Sequence, residues 1–260
     1  MGRRAGAGNL AAWPARQFPL GVNDLPSTIV SGDELIAQLL EQKPEIAVFD
    51  CDGTLWAGDS GADFFYWELE RGFVSAEVEQ NIRARYEGYL SGQVDELAIC
   101  GEMIQINRGL PEVKLREAAR EMFDRLVKPR IFPEIFDLTR RLADQGCELW
   151  AVSSTNNWVV EAAVEHFGIP AERVLAATLE VEDGIVTDRI LRVPTDELKQ
   201  VAIEDVIAWP VDAVFGNSMH DFAMLERAVV PYVINPNPDL AEKASELGWS
   251  VYLPPAGLRP

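Results

Sequence analysis

Histidine and cysteine are scarce in this chain, with two of the first and three of the second. Cys51, Cys100 and Cys147 stand far apart and form no C-x-x-C pair. Neither a disulfide framework nor a thiolate zinc site is therefore expected, and a reducing, cytoplasmic setting fits best. Basic residues are short as well: 23 Lys plus Arg stand against 42 Asp plus Glu, a formal net charge of -19. A surface this acidic repels phosphate backbones and anionic lipid, and no local basic patch interrupts it, so neither nucleic acid nor a membrane surface is an expected partner. Long apolar runs are missing too. No stretch approaches the ~18 residues of a membrane span, and the residues after Arg3-Arg4 lack the apolar core, roughly 7–15 residues long, of a secretory signal. The remaining composition is ordinary for a globular protein: 260 residues, 48% hydrophobic and 25% charged, enough for one large domain or a domain with a sizeable insertion.

Residues 1–30 mix Gly, Pro, Arg and Asn without periodicity and read as an irregular leader. Gly6-Ala7-Gly8 has the look of a dinucleotide loop but lacks the preceding strand that would aim it. Ser31-Gly-Asp-Glu then opens a short amphipathic helix that Pro44 closes. The run Glu45–Asp50 suits a buried parallel strand, as do Glu148–Ser153, Val211–Gly216 and Val229–Asn235, each flanked by helical patterns. Strand alternating with helix implies a parallel sheet with helices on both faces. The interval 56–127 breaks the alternation with helix-like segments alone: Gly61–Arg71, Ala76–Leu90, Gln93–Arg108 and Pro111–Val127. That is too much chain for one crossover, so it reads as an inserted helical cap, with a catalytic core formed by 31–55 and 128–260. The Asp-Gly within Leu179–Val186 predicts a hairpin.

The chemistry concentrates at strand ends. Asp50-Cys51-Asp52-Gly53-Thr54 follows an apolar strand directly, so Asp50 and Asp52, two apart, can converge on one point while Gly53 turns the chain. Carboxylates that close repel unless a cation or a shared proton holds them. The second strand ends in Ser153-Ser154-Thr155-Asn156-Asn157 at a helix start, a place suited both to anions and to plain capping. Lys199 is the single lysine between that strand and Gly216. After the next strand come Asn217 and Asp221, oxygen ligands that favour a hard cation, Mg²⁺ before Zn²⁺.

In this order the motifs resemble the haloacid dehalogenase-like hydrolase superfamily, and within it the phosphoserine phosphatase-like group with a helical cap. The resemblance runs from about Ile46 to Asn235. It implies a Rossmann-like α/β core and a Mg²⁺-dependent phosphatase that hydrolyses a small-molecule phosphate ester through an aspartyl-phosphate. Asp50 would be the nucleophile and Asp52 the general acid/base. Ser153, Ser154 and Lys199 would hold the phosphoryl oxygens, and Asp50, Asp52, Asn217 and Asp221 the metal. Asn217 stands where the group usually has Asp, which keeps an oxygen ligand but removes a negative charge. Asp59, nine positions after Asp50, matches an acidic residue that reads the ammonium of phosphoserine; a plain helix cap is the alternative. Arg83 and Arg85 are candidates to pair a substrate carboxylate, against the alternative of a solvated helix face.

Other readings are weaker or remain open. A dehalogenase of this fold lacks the second Asp, so Asp52 argues against one, whereas a phosphomutase keeps both. No Gly-x-Ser-x-Gly elbow supports a serine hydrolase. His166 reads as a helix-face residue and His220 as a loop neighbour of the metal site. The aromatic run Phe64-Phe65-Tyr66-Trp67 fits either the cap core or a substrate contact. A binding or regulatory protein on the same fold, its turnover weakened by Asn217, stays open.

Overall fold

Short apolar runs alternate with amphipathic helices over the residues that the computed structural model describes, 29–207 and 210–255. The chain begins with β1 (Ile29–Val30), α1 (Gly32–Gln42) and β2 (Ile46–Phe49). Four helices come next without an intervening strand: α2 (Ser60–Glu70), α3 (Ala76–Leu90), α4 (Glu96–Gln105) and α5 (Glu112–Met122). Then come α6 (Pro133–Asp144), β3 (Glu148–Asn156), α7 (Asn157–Val164), β4 (Val174–Glu182), β5 (Ile185–Arg192) and α8 (Glu197–Glu204). The chain closes with β6 (Ala213–Gly216), α9 (Phe222–Glu226), β7 (Val230–Ile234), α10 (Pro238–Leu247) and β8 (Ser250–Tyr252).

Among the described residues the strands form one sheet in the order β1-β8-β7-β6-β2-β3-β4-β5. Neighbours are parallel throughout, except that β4 and β5 form an antiparallel hairpin at one edge. The protein is thus α/β with a Rossmann-like sheet. Strands β6 and β7 are buried along their whole length, which explains their unbroken apolar sequences: helices cover both faces. From β2 the sheet grows one way to β3 and the other way to β6, so the carboxyl end of β2 is a topological switch point where a crevice opens. Phe49 pairs with Ala151 on one side and Phe215 on the other. The Phe49 and Phe215 rings stack at 4.2 Å, and Phe215 stacks on Tyr232 at 5.2 Å. This ladder sets the level at which the loops after β2 and β6 leave the sheet.

Side chains and strands pack across both expected boundaries. Phe65, Leu69, Ile82, Tyr86 and Ile99 form a separate hydrophobic cluster among α2, α3 and α4. Helix α5 instead sends Leu115, Ala118, Ala119 and Met122 into the main core, and Arg116 pairs with Glu161 of α7. Helices α2 and α4 reach the main core as well, through Phe64, Trp67 and Ile104. At the other boundary, Ile29 and Val30 pair with Val251 and Tyr252, so the end of the expected irregular leader already contributes a strand. Residues 1–28, Gly6-Ala7-Gly8 included, lie outside the described residues. The hairpin at Asp183-Gly184 is real but much longer than Leu179–Val186, because β4 and β5 continue outward in pairing from Glu182 with Ile185 to Thr178 with Arg192.

The helical insertion is tied to the core at both ends. Trp56 and Ile131 make an antiparallel bridge, with Ala57 N donating to Arg130 O at 3.0 Å and Phe132 N to Leu55 O at 3.1 Å. Beyond α4, Gly109 N donates to Val186 O at 2.8 Å, Val186 N to Leu110 O at 3.0 Å, and Glu112 N to Gly184 O at 2.9 Å. Among the described residues no helix is long and apolar enough to cross a membrane.

Candidate active site

The carboxylate of Asp50 emerges from the buried end of β2 and is only 4% exposed. Thr54 Oγ1 donates to its Oδ2 at 2.8 Å and Lys199 Nζ to its Oδ1 at 2.6 Å. Lys199, itself buried on α8, also donates to Asp221 Oδ1. The other oxygen of Asp221 accepts from the backbone of Asn217 at 2.8 Å and of Ser218 at 3.0 Å, so Asp221 shapes the loop after β6 and fixes the ammonium. Two buried carboxylates thus share one cation. Burial, followed by the charge of Asp221, pushes the Asp50 carboxyl up to about 7 against the pull of Lys199. Burial alone would lower the Lys199 ammonium, but Asp221 and Asp50 more than reverse this and hold it above its ordinary range.

Asp52 faces the same crevice. Its Oδ1 accepts from Trp56 Nε1 at 2.7 Å and Ser60 N at 2.6 Å, and its Oδ2 from Thr155 Oγ1 at 2.8 Å. The carboxylate is therefore held between the start of α2 and the end of β3. The turn between Asp52 and Trp56 needs a glycine: Gly53 has φ +77°, and a Cβ there would lie 1.9 Å from Asn217 Nδ2. Close approach of the β2 and β6 loops thus depends on the missing side chain. Ser153 is buried and its Oγ accepts from Thr155 N at 3.1 Å. The β3–β4 register breaks between Ser153 and Asn156, just before Asn156 caps α7 by accepting from Val159 N at 3.0 Å. This break turns the residues from Ser153 to Asn156 toward the crevice.

A cavity of about 310 Å³ joins these groups. Asp50, Asp52, Ser153, Ser154, Lys199 and Asn217 line its floor, and α2, α3 and α4 supply the opposite wall. Asp59 lines it as well while its Oδ1 accepts from Ala62 N at 2.8 Å, so it caps α2 from the cavity rim. Asp221 is close but committed to Lys199 and its own loop. Arg83 and Arg85 are not brought to the cavity: Arg83 pairs with Glu79, and Arg85 grips Glu102 through two bonds on the cap surface. Of the aromatic run, Phe64 and Phe65 line the cavity. Tyr66 is exposed and Trp67 packs beneath Arg71. His166 packs at a tilt against Phe123, the ring centroids 4.7 Å apart. His220 bridges core and cap, with Asp196 at 2.7 Å on one side and Glu96 of α4 at 2.6 Å on the other.

Oxygen donors that suit a hard divalent cation meet on the cavity floor: two carboxylates, Asp50 and Asp52, and the Asn217 amide. Among the described residues no group of three or more His, Cys, Asp or Glu is placed to hold a metal. The surplus of carboxylates over Lys199 leaves the floor negative, so a bound cation would fit both the chemistry and the charge.

The sequence pattern of the haloacid dehalogenase-like hydrolases matches residues 47–226. The chain belongs to this family. A histidinol-phosphatase of Neisseria meningitidis serogroup C is 26% identical over 219 residues, covering 79% of this chain and 97% of the relative. A phosphoserine phosphatase of Halobacterium salinarum is 26% identical over 198 residues, 74% of this chain and 87% of the relative. Among solved structures, a substrate-bound phosphoserine phosphatase shares the fold at a TM-score of 0.54 and 17% identity, covering 80% of this chain and 92% of the other. This hydrolase is accordingly a phosphatase of the family.

Sequence reasoning missed several residues at the site. Thr54 was visible as the end of the Asp-x-Asp-Gly-Thr motif, but its bond to the first Asp was not. Thr155 lay within the serine-rich strand end and gave no separate signal. Glu68 offered the clearest one: it is an acidic residue at helical spacing from Phe64 and Phe65, on a face otherwise apolar, and it is 1% exposed. Glu96, which accepts from Thr195 Oγ1 at 2.9 Å and meets His220, resembles an ordinary first-turn glutamate in sequence.

Proposed function

We propose that this hydrolase is a Mg²⁺-dependent phosphatase that removes phosphate from a small, amine-bearing monoester through an aspartyl-phosphate on Asp50. The reading rests chiefly on the buried Asp50 carboxylate, held by Lys199 and Thr54 and facing a cavity beside a second carboxylate. Its two hydrogen bonds fix the orientation of the nucleophile, which lowers the entropic part of the barrier. Lys199 and the polar groups of Ser153 and Ser154 would face the phosphoryl oxygens as charge redistributes in an in-line displacement. Asp52 would give a proton to the departing alcohol oxygen and then take one from water attacking the phosphoaspartate, so that one carboxyl serves both halves. Asp50, Asp52 and Asn217 would hold the Mg²⁺, which when bound offsets repulsion between phosphate and carboxylate. Asp59 at the rim would favour a cationic leaving group over a second anion, in keeping with relatives named for amine-bearing substrates.

The test is Mg²⁺-dependent release of phosphate by the wild type and by Asp50→Asn. The substitution keeps the shape of the side chain and removes its nucleophilic charge, so a folded variant should lose activity by at least ~10³-fold. Turnover at the parent rate would end the aspartyl-phosphate reading.

A further inference from the structure

Glu68 projects from α2 into the same cavity as Asp50, yet takes no part in phosphoryl transfer as proposed for Asp50 and Asp52. It is 1% exposed and its Oε1 has no hydrogen-bond partner. The Asn107 side chain is hydrogen-bonded to the Glu68 carboxyl, and Asn107 Oδ1 has no partner. A buried acceptor without a donor is costly and rarely retained without a reason, and of these two residues it is Glu68 that lines the cavity. The walls nearby include Phe65 and Tyr86, whose rings lie 5.3 Å apart, and aromatic faces attract cations.

The charge inventory of the cavity narrows what could fill it. Among the described residues that line it, the basic side chains are Lys199, shared by Asp50 and Asp221, and His220, bracketed by Glu96 and Asp196. No lining cation is left for a carboxylate on the leaving group. Glu68 also lies nine residues beyond Asp59, about 13 Å along the helix axis, so it forms a recognition point distinct from the rim.

We infer that Glu68 determines specificity by accepting an N–H donor from an extended, cationic leaving group that carries no carboxylate. This rests on the phosphatase reading of the cavity and departs from a serine-type substrate. Burial pushes the Glu68 carboxyl above the usual carboxylate range against the hydrogen bond from Asn107, and a cation arriving beside it would favour the charged form.

The test compares kcat/KM for histidinol phosphate, O-phosphoethanolamine, O-phosphoserine and 4-nitrophenyl phosphate in the wild type, Glu68→Gln and Glu68→Leu. Binding of free histidinol, measured by calorimetry, gives a readout independent of turnover. The wild type should favour histidinol phosphate over O-phosphoserine by about tenfold or more. Both variants should lower the ratio of histidinol phosphate to 4-nitrophenyl phosphate by about tenfold, with a parallel loss of histidinol affinity. An unchanged ratio in folded variants, or a wild-type preference for O-phosphoserine, would overturn the inference while leaving a phosphatase in place. Glu68-dependent binding of histidinol by a protein that turns over none of the esters would uphold the subsite and remove the phosphatase reading.

Discussion

Lys199 Nζ stands 2.6 Å from Asp50 Oδ1 and also holds Asp221, with all three side chains almost fully buried. Removing the ammonium would strand two carboxylates in a site that solvates them poorly. Lys199→Met should therefore cost about 3–5 kcal/mol in urea unfolding, beyond its effect on turnover. Asp221→Asn should be milder, because Asp50 keeps its partner and the amide oxygen can still accept from the loop. Equal costs for the two variants would mean that the triad is not what stabilises this end of the sheet.

With Asn217 holding Mg²⁺ as proposed, the floor would offer an uncharged ligand where a charged one would be stronger. Asn217→Asp should lower the Mg²⁺ concentration at half-maximal thermal stabilisation on the order of tenfold, since an added carboxylate at a cation site is worth roughly 1.4 kcal/mol or more. Gly53→Ala should act in the opposite direction. It forces a left-handed alanine, at roughly 1–2 kcal/mol, and displaces Asn217 from its seat above the turn. Melting curves recorded across a Mg²⁺ series would separate the two effects.

Glu68→Gln is expected to stabilise the ligand-free protein, the reverse of a change to a merely structural residue. An acid whose folded value is raised makes the native state bind more protons than the unfolded one, so stability falls as pH rises from the ordinary carboxylate range toward the folded value. The neutral amide is free of that loss. The melting temperature of Glu68→Gln should accordingly exceed that of the wild type by a few degrees at pH 8, with the gap closing near pH 4. A gap that is constant with pH would show that Glu68 is not held as the acid.

Glu96 links α4 to the core through Thr195 and His220. Glu96→Gln should leave the sheet as protected as before and speed amide exchange over residues 91–99 several-fold, because Glu96 is the residue at the start of α4 that bonds Thr195 and His220. Uniform acceleration across the chain would instead point to general destabilisation.

The strand ends were legible because parallel strands buried on both faces leave unbroken apolar runs, as at Ile46–Phe49 and Val230–Ile234, and the polar residues just beyond them must face the crevice. The edges were not. Ile29–Val30 is too short to show a period, and β4 carries polar residues toward its hairpin end because only part of it is covered. Arg83 and Arg85 could not be placed from sequence, since a helical repeat says which residues share a face but not what that face meets. Glu68 was overlooked for a related reason: a single acid on an apolar stripe looks like an error in the pattern until the cavity behind it is seen.

The attachments of the helical insertion also restrict how it can move. At one end Ser60 is bonded to Asp52; at the other Gly109 and Leu110 are stitched to Val186, and α5 is packed into the core. Between these points α2 sends Phe64 and Trp67 and α4 sends Ile104 into the main core, and Glu96 of α4 is tied to His220, so α3, whose buried Ile82 and Tyr86 belong to the separate cluster, is the span with most freedom to swing. Displacement in such an arrangement grows with distance from the pivots, so the bends near Gly72 and Gly92 would travel far while the first turn of α2 hardly shifts. Asp59 and Asp52 would thus keep their relation throughout a swing of α3, and a substrate could enter past that helix without disturbing the first turn of α2.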